Sequence, residues 1–257
     1  MEQMDRMDDS QRLSRPNQQR PMGNAALREA LVLWALAFGV ILVVRAIGPI
    51  AGYAKAAAAV AFLYLPGAVV WRRNEDYRDY GAHLSSWRRD VLWGLGASAL
   101  ILPLFALVFV VFVGVLEHIP AWLSTVLTPY VPKVEPALRF PARFWEHILD
   151  QFLVVALPEE FFYRGYLQTR LRDVWPGGKR RLFGVRLGPA FWLTAALFAL
   201  GHLAIFQVWR LSVFFPALVF GWLREKTDSI LPAVIFHALS NLTLFVLEAS
   251  FFGAYQG

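Results

Sequence analysis

The sequence predicts an all-α fold: a polytopic transmembrane helix bundle of about seven spans, with six to eight as the range. Three observations carry that prediction. Of 257 residues, 57% are hydrophobic and 17% charged, whereas a soluble domain carries roughly a quarter charged. The apolar residues collect in long runs instead of recurring at core spacing, as in a chain dissolved in lipid. Lys and Arg fall between those runs. Trp71, Trp87 and Trp93 stand near run ends, where an amphipathic ring suits the headgroup region.

Taken in order, Met1 to Gly23 is polar, with Asp8, Asp9, Arg12, Arg15 and Arg20. Residues 1–24 therefore read as a disordered tail, and 25–257 as a single transmembrane helical domain. The run over 25–47 is too long for a signal-peptide core and reads as the first anchor. Further runs at 52–71, 91–116, 144–168, 190–206, 211–223 and 230–252 supply the remaining spans, the fifth and sixth being short. Between 117 and 143 stand Pro120, Pro129, Pro132, Pro136 and Pro141, which rule out one regular helix there. The connection 171–188 carries Gly177, Gly178 and the basic run Lys179-Arg180-Arg181.

Charge then gives orientation. With the N-terminus cytoplasmic and seven spans, 18 of the 25 Lys and Arg fall inside, six outside, and Arg164 within a span. The positive-inside rule favours that arrangement, with the C-terminus on the opposite side. A multi-pass protein of a bacterial inner or plasma membrane is expected. The net charge of +6 resides in loops, leaving no soluble basic face, so the lipid bilayer and not nucleic acid is the expected partner. Cysteine is absent, which excludes disulfides, thiolate nucleophiles and cysteine-ligated zinc.

Ionisable side chains inside spans cost at least ~2.5 kcal/mol on insertion scales and call for a reason. The fourth span holds Leu157-Pro158-Glu159-Glu160, followed by Arg164-Gly165; the fifth holds Phe198 and His202; the last holds His237, Asn241 and, lower down, Glu248. Glu160 and Arg164 are i and i+4, so they can pair. Glu159 is rotated by roughly 100° and can point elsewhere in the bundle. His237 and Asn241 are also i and i+4 and project together. Pro158 removes one helical N–H and favours a local kink, of the kind that borders a water-containing cavity in membranes. His83, His118 and His147 lie near interfaces or loops and are expected to be inert. The six groups Glu159, Glu160, Arg164, His202, His237 and Asn241 are more than packing requires, and point to a shared functional site.

At these residues the sequence resembles the CAAX protease and bacteriocin-processing family of glutamic-type intramembrane proteases, whose eukaryotic member is the type II CAAX prenyl endopeptidase. The family pattern is Glu-Glu-x-x-x-Arg, Phe-x-x-x-His and His-x-x-x-Asn/Asp on separate transmembrane helices. Here it is met by Glu159-Glu160…Arg164, Phe198…His202 and His237…Asn241, so the likeness covers 159–241. The resemblance implies a peptidase without a cofactor. Glu159 would act as general base on a water, His202 would help hold that water, and His237 and Asn241 would donate to the oxyanion. Glu160 and Arg164 would brace the site. The substrate would be a membrane-anchored or lipid-modified protein or peptide. The residues also leave other readings open: a metal-dependent version of the same protease, a non-catalytic membrane scaffold or immunity protein, and a proton-coupled transporter. The last is disfavoured by the short chain and the absence of an inverted repeat. Neither the substrate's identity nor the oligomeric state is encoded in these motifs.

Overall fold

A computed structural model of the chain describes residues 22–116, 118–127, 135–175, 177–178 and 181–255. The expected tail, 1–24, falls almost entirely outside these residues. The fold is an all-helical bundle. It comprises α1 (Asn24–Ala46), α2 (Ala54–Arg72), α3 (Trp87–Leu116), a short α4 (Ala121–Leu127), a continuous helix α5 over 144–174, α6 (Pro189–Gly201), α7 (Phe214–Thr227) and α8 (Leu231–Phe252). A small antiparallel hairpin, Arg181–Leu182 against Val185–Arg186, joins α5 to α6.

The predicted runs map onto these helices with small shifts. The first anchor, the 52–71 run (with the 3₁₀ turn Gly48–Tyr53 ahead of α2), α3 and α8 are each long and apolar enough to cross a membrane. The fourth run extends six residues further than predicted, to Val174. The fifth ends as a helix at Gly201, with one 3₁₀ turn (His202–Ala204) after it, and the sixth begins at Phe214. At 13 and 14 residues, α6 and α7 each rise only about 20 Å, less than the ~30 Å hydrocarbon core.

At Pro158 the helix is not interrupted. α5 runs through it and widens into π-helical turns on both sides, Asp150–Ala156 and Phe161–Leu167. Those turns absorb the carbonyl that the proline cannot serve, without ending the helix. α8 packs most extensively along α3 and also lies against α5 and α7. Its pairing with α5 is antiparallel, with Val234 and Ala238 against Ala156 and Phe152. It stops at Gly253, whose φ of 67° is open to glycine without strain. Trp34 of α1 donates from Nε1 to the carbonyl of Leu197 at 3.0 Å and fastens α1 to α6.

Charged residues from separate segments meet in two groups. At one end Arg170, fully buried, reaches Glu29 at 3.1 Å and Glu75 at 3.0 Å and lies over the Tyr80 and Tyr166 rings. Glu29 also pairs with Arg73, so α1, the α2–α3 link and α5 share one ion network. At the other end Lys55 meets Asp150, and Arg139 is bonded to Ser250. The functional candidates lie between these ends, inside the bundle.

Candidate active site

Glu160 and Arg164 occupy one face of α5, and both side chains are fully buried. Arg164 Nη1 donates to Glu160 Oε1 at 3.1 Å, and Nη2 donates to the carbonyl of Ala217 on α7 at 3.1 Å. The guanidinium lies over Phe198 at 4.3 Å and Phe220 at 4.8 Å. A buried cation is tolerable only when paired and bonded in this way. A second donor, His237 Nδ1, approaches the same Glu160 oxygen at 2.8 Å. Glu160 thus binds the helix that bears Arg164 to the last helix.

His237 is buried and stacked on Phe220, with ring centroids 4.6 Å apart and 15° between planes. A carboxylate that already accepts from an arginine can only accept, so the His237 Nδ1 carries the proton. Its Nε2 faces the opposite way, 3.9 Å from Glu159 Oε2. That Glu159 oxygen is buried and has no hydrogen-bond partner among the described residues, while the rest of its side chain remains partly open. The two adjacent glutamates differ in environment: Glu160 is fully buried, its Oε1 accepting from both Arg164 and His237 and its Oε2 without a partner among the described residues, whereas Glu159 is partly open and its buried Oε2 faces His237.

His202 follows the last turn of α6. Its Nδ1 donates to the Phe198 carbonyl at 2.9 Å, which leaves Nε2 as the ring's accepting nitrogen when the ring is neutral. Phe198 ties the groups together, touching Arg164, His202 at 4.6 Å and His237 at 5.8 Å. Two glycines allow the helices to close up. A Cβ on Gly201 would stand 2.6 Å from the Tyr163 hydroxyl, and one on Gly165 would stand 3.0 Å from the Tyr80 carbonyl.

Asn241 lies one turn beyond His237 on α8. Its Nδ2 donates to Gln151 Oε1 at 2.8 Å, on the same helix as the glutamates. Sequence reasoning did not single out Gln151; its one signal was an amide standing two turns before Glu159 in an apolar run. The other ionisable groups do not join the cluster. His83 contacts the Asp228 carbonyl, His118 the Gly114 carbonyl, and His147 packs on Phe245. Glu248 accepts from the Tyr255 hydroxyl at 2.9 Å near the end of α8. Among the described residues no three His, Asp or Glu side chains are grouped to hold a metal ion.

Comparison with known proteins bears on the same stretch. Residues 141–243 match the family model of type II CAAX prenyl endopeptidases described as Rce1-like. No curated protein and no solved structure matches the chain. The matched span begins just before α5 and ends on α8, so it contains all six candidate residues and leaves α1–α3 outside. Over residues 141–243, less than half of its length, the chain is thus similar to the Rce1-like type II CAAX prenyl endopeptidases, a family of proteases.

Proposed function

We propose that this protein is an intramembrane endopeptidase that hydrolyses a peptide bond of a membrane-associated or lipid-modified protein or peptide with a water activated by Glu159. The observation that carries this reading is the unpartnered, buried Glu159 Oε2 facing His237 Nε2 across 3.9 Å. One water oxygen can lie at an ordinary hydrogen-bond length, about 2.8 Å, from both atoms. Glu159 takes a proton from that water as its oxygen bonds to the scissile carbonyl carbon. The carbonyl oxygen becomes an oxyanion, and Asn241 Nδ2–H and His237 Nε2–H donate to it. The His237 contribution needs the doubly protonated ring, which lies between Glu160 and Glu159. Collapse of the intermediate breaks the C–N bond, and the proton held by Glu159 passes to the leaving amine. The Nε2 lone pair of His202 helps hold the water. Glu160 and Arg164 touch no reacting atom and fix the His237 ring.

The family match supports protein substrates. The distribution of Lys and Arg supports a cytoplasmic N-terminus. The experiment compares protein termini in membranes from cells with and without this protein, then asks whether the purified chain makes the same cut. The expected result is a new terminus near a membrane segment or lipid anchor, reproduced in vitro and insensitive to chelators. Termini that do not differ would overturn the proposal, and chelator-sensitive cleavage would overturn the glutamate mechanism.

A further inference from the structure

The hydrogen-bond chain leading away from Asn241 has no part in the steps above, yet it bears on them. Lys55 Nζ on α2 donates to Asp150 Oδ1 at 2.7 Å, Gln151 Nε2 donates to Asp150 Oδ2 at 3.0 Å, and Gln151 Oε1 accepts from Asn241 Nδ2 at 2.8 Å. We infer that Gln151 is a positioning residue that fixes which way the Asn241 amide faces, an inference resting on the oxyanion role proposed for Asn241.

The argument is one of polarity. An asparagine amide has nearly the same shape when flipped, but only its NH₂ end can donate to an oxyanion. Nothing in Asn241 itself selects one orientation. The selection enters at the far end of the chain, where Asp150 can only accept and Lys55 holds it in place. Gln151 must therefore turn its NH₂ to Asp150 and its oxygen to α8. Asn241 must answer with its NH₂, one N–H bonding Gln151 and the other left to donate. A flipped Asn241 would set two carbonyl oxygens against each other. Gln151 is buried, so water is poorly placed to relieve that clash. The wide turn of α5 over Asp150–Ala156 carries the two neighbouring links of the chain.

The test uses full-length protein in reconstituted membranes and a reporter bearing the junction identified by the comparison of termini. Gln151→Leu should lower kcat by roughly 10- to 100-fold with little change in KM, since a donor aimed at the transition state is lost. In an Asn241→Ala background the same substitution should change kcat by less than about twofold, because residues acting through one another are not additive. Asp150→Asn, at the more exposed end of the chain, frees the polarity without opening a cavity, and should reproduce the pattern more weakly even where Gln151→Leu folds poorly. Equal losses in both backgrounds would overturn the positioning role alone. Full turnover by Asn241→Ala would overturn the oxyanion assignment as well.

Discussion

Removing Arg164 is the perturbation whose consequence the structure sets most tightly. Arg164→Ala deletes a buried guanidinium that bonds Glu160 and the Ala217 carbonyl and covers two phenyl faces. Glu160 is then left fully buried with only the His237 Nδ1–H as a side-chain partner. Breaking a buried pair on one side costs about 3–5 kcal/mol, chiefly because the surviving charge is stranded. The lost ring contacts, up to about 2 kcal/mol when desolvated, overlap with that figure. A chain of this size loses about 2–4 °C of Tm per kcal/mol, so a fall of roughly 6–20 °C is expected. The assay is thermal unfolding of purified protein in detergent, with folded yield alongside. Combining Arg164→Met with Glu160→Gln removes both charges and should recover much of the loss. Arg143→Ala is the control: its pair with Glu146 is largely exposed at 76% and 61%, worth about 0–1 kcal/mol. Unchanged Tm and yield for Arg164→Ala would refute the bracing role and place the guanidinium on substrate instead.

Two further predictions concern chemistry and topology. Asn241→Ala leaves the base intact, so residual turnover should persist, lower by about 10²–10³-fold. The double variant with His237→Ala should lose less than the two single losses multiplied, because both groups act on one oxygen; full multiplicativity in cleavage rate would contradict a shared target. Reporter fusions within 179–186 should be cytoplasmic and those at Gly257 external, and a cytoplasmic signal at Gly257 would mean an even number of crossings.

Periodicity and composition made much of the bundle readable from the sequence. The long apolar runs gave α1, α2, α3 and α8 to within four residues at each end, because a ~30 Å apolar layer admits few alternatives. The spacing of Glu160 and Arg164 gave their pairing, because i and i+4 partners belong to one helix. What crosses between helices was hidden. His237 was matched with Asn241 by spacing, yet its Nδ1 bonds Glu160, 77 residues away in the chain. Gln151 and Asn241 are separated by 90 residues. Helical spacing names the face a side chain occupies, and only packing names what stands opposite. The Arg170 network was hidden for the same reason: Arg170, Glu29 and Glu75 stand far apart in the sequence, and their contact follows from the convergence of three segments. The shape of α5 at Pro158 was half legible. A proline signals a missing N–H, but not that the helix continues through it with wide turns on either side.

The central claim is that Glu159 is the proton acceptor, and Glu159→Gln tests it most directly. The amide keeps the size of the carboxylate and its capacity to bond, and removes only its basicity. The account predicts that the variant unfolds at the wild-type temperature, retains its helical circular dichroism, and cleaves the reconstituted substrate at the background rate. Substantial turnover by folded Glu159→Gln would contradict it.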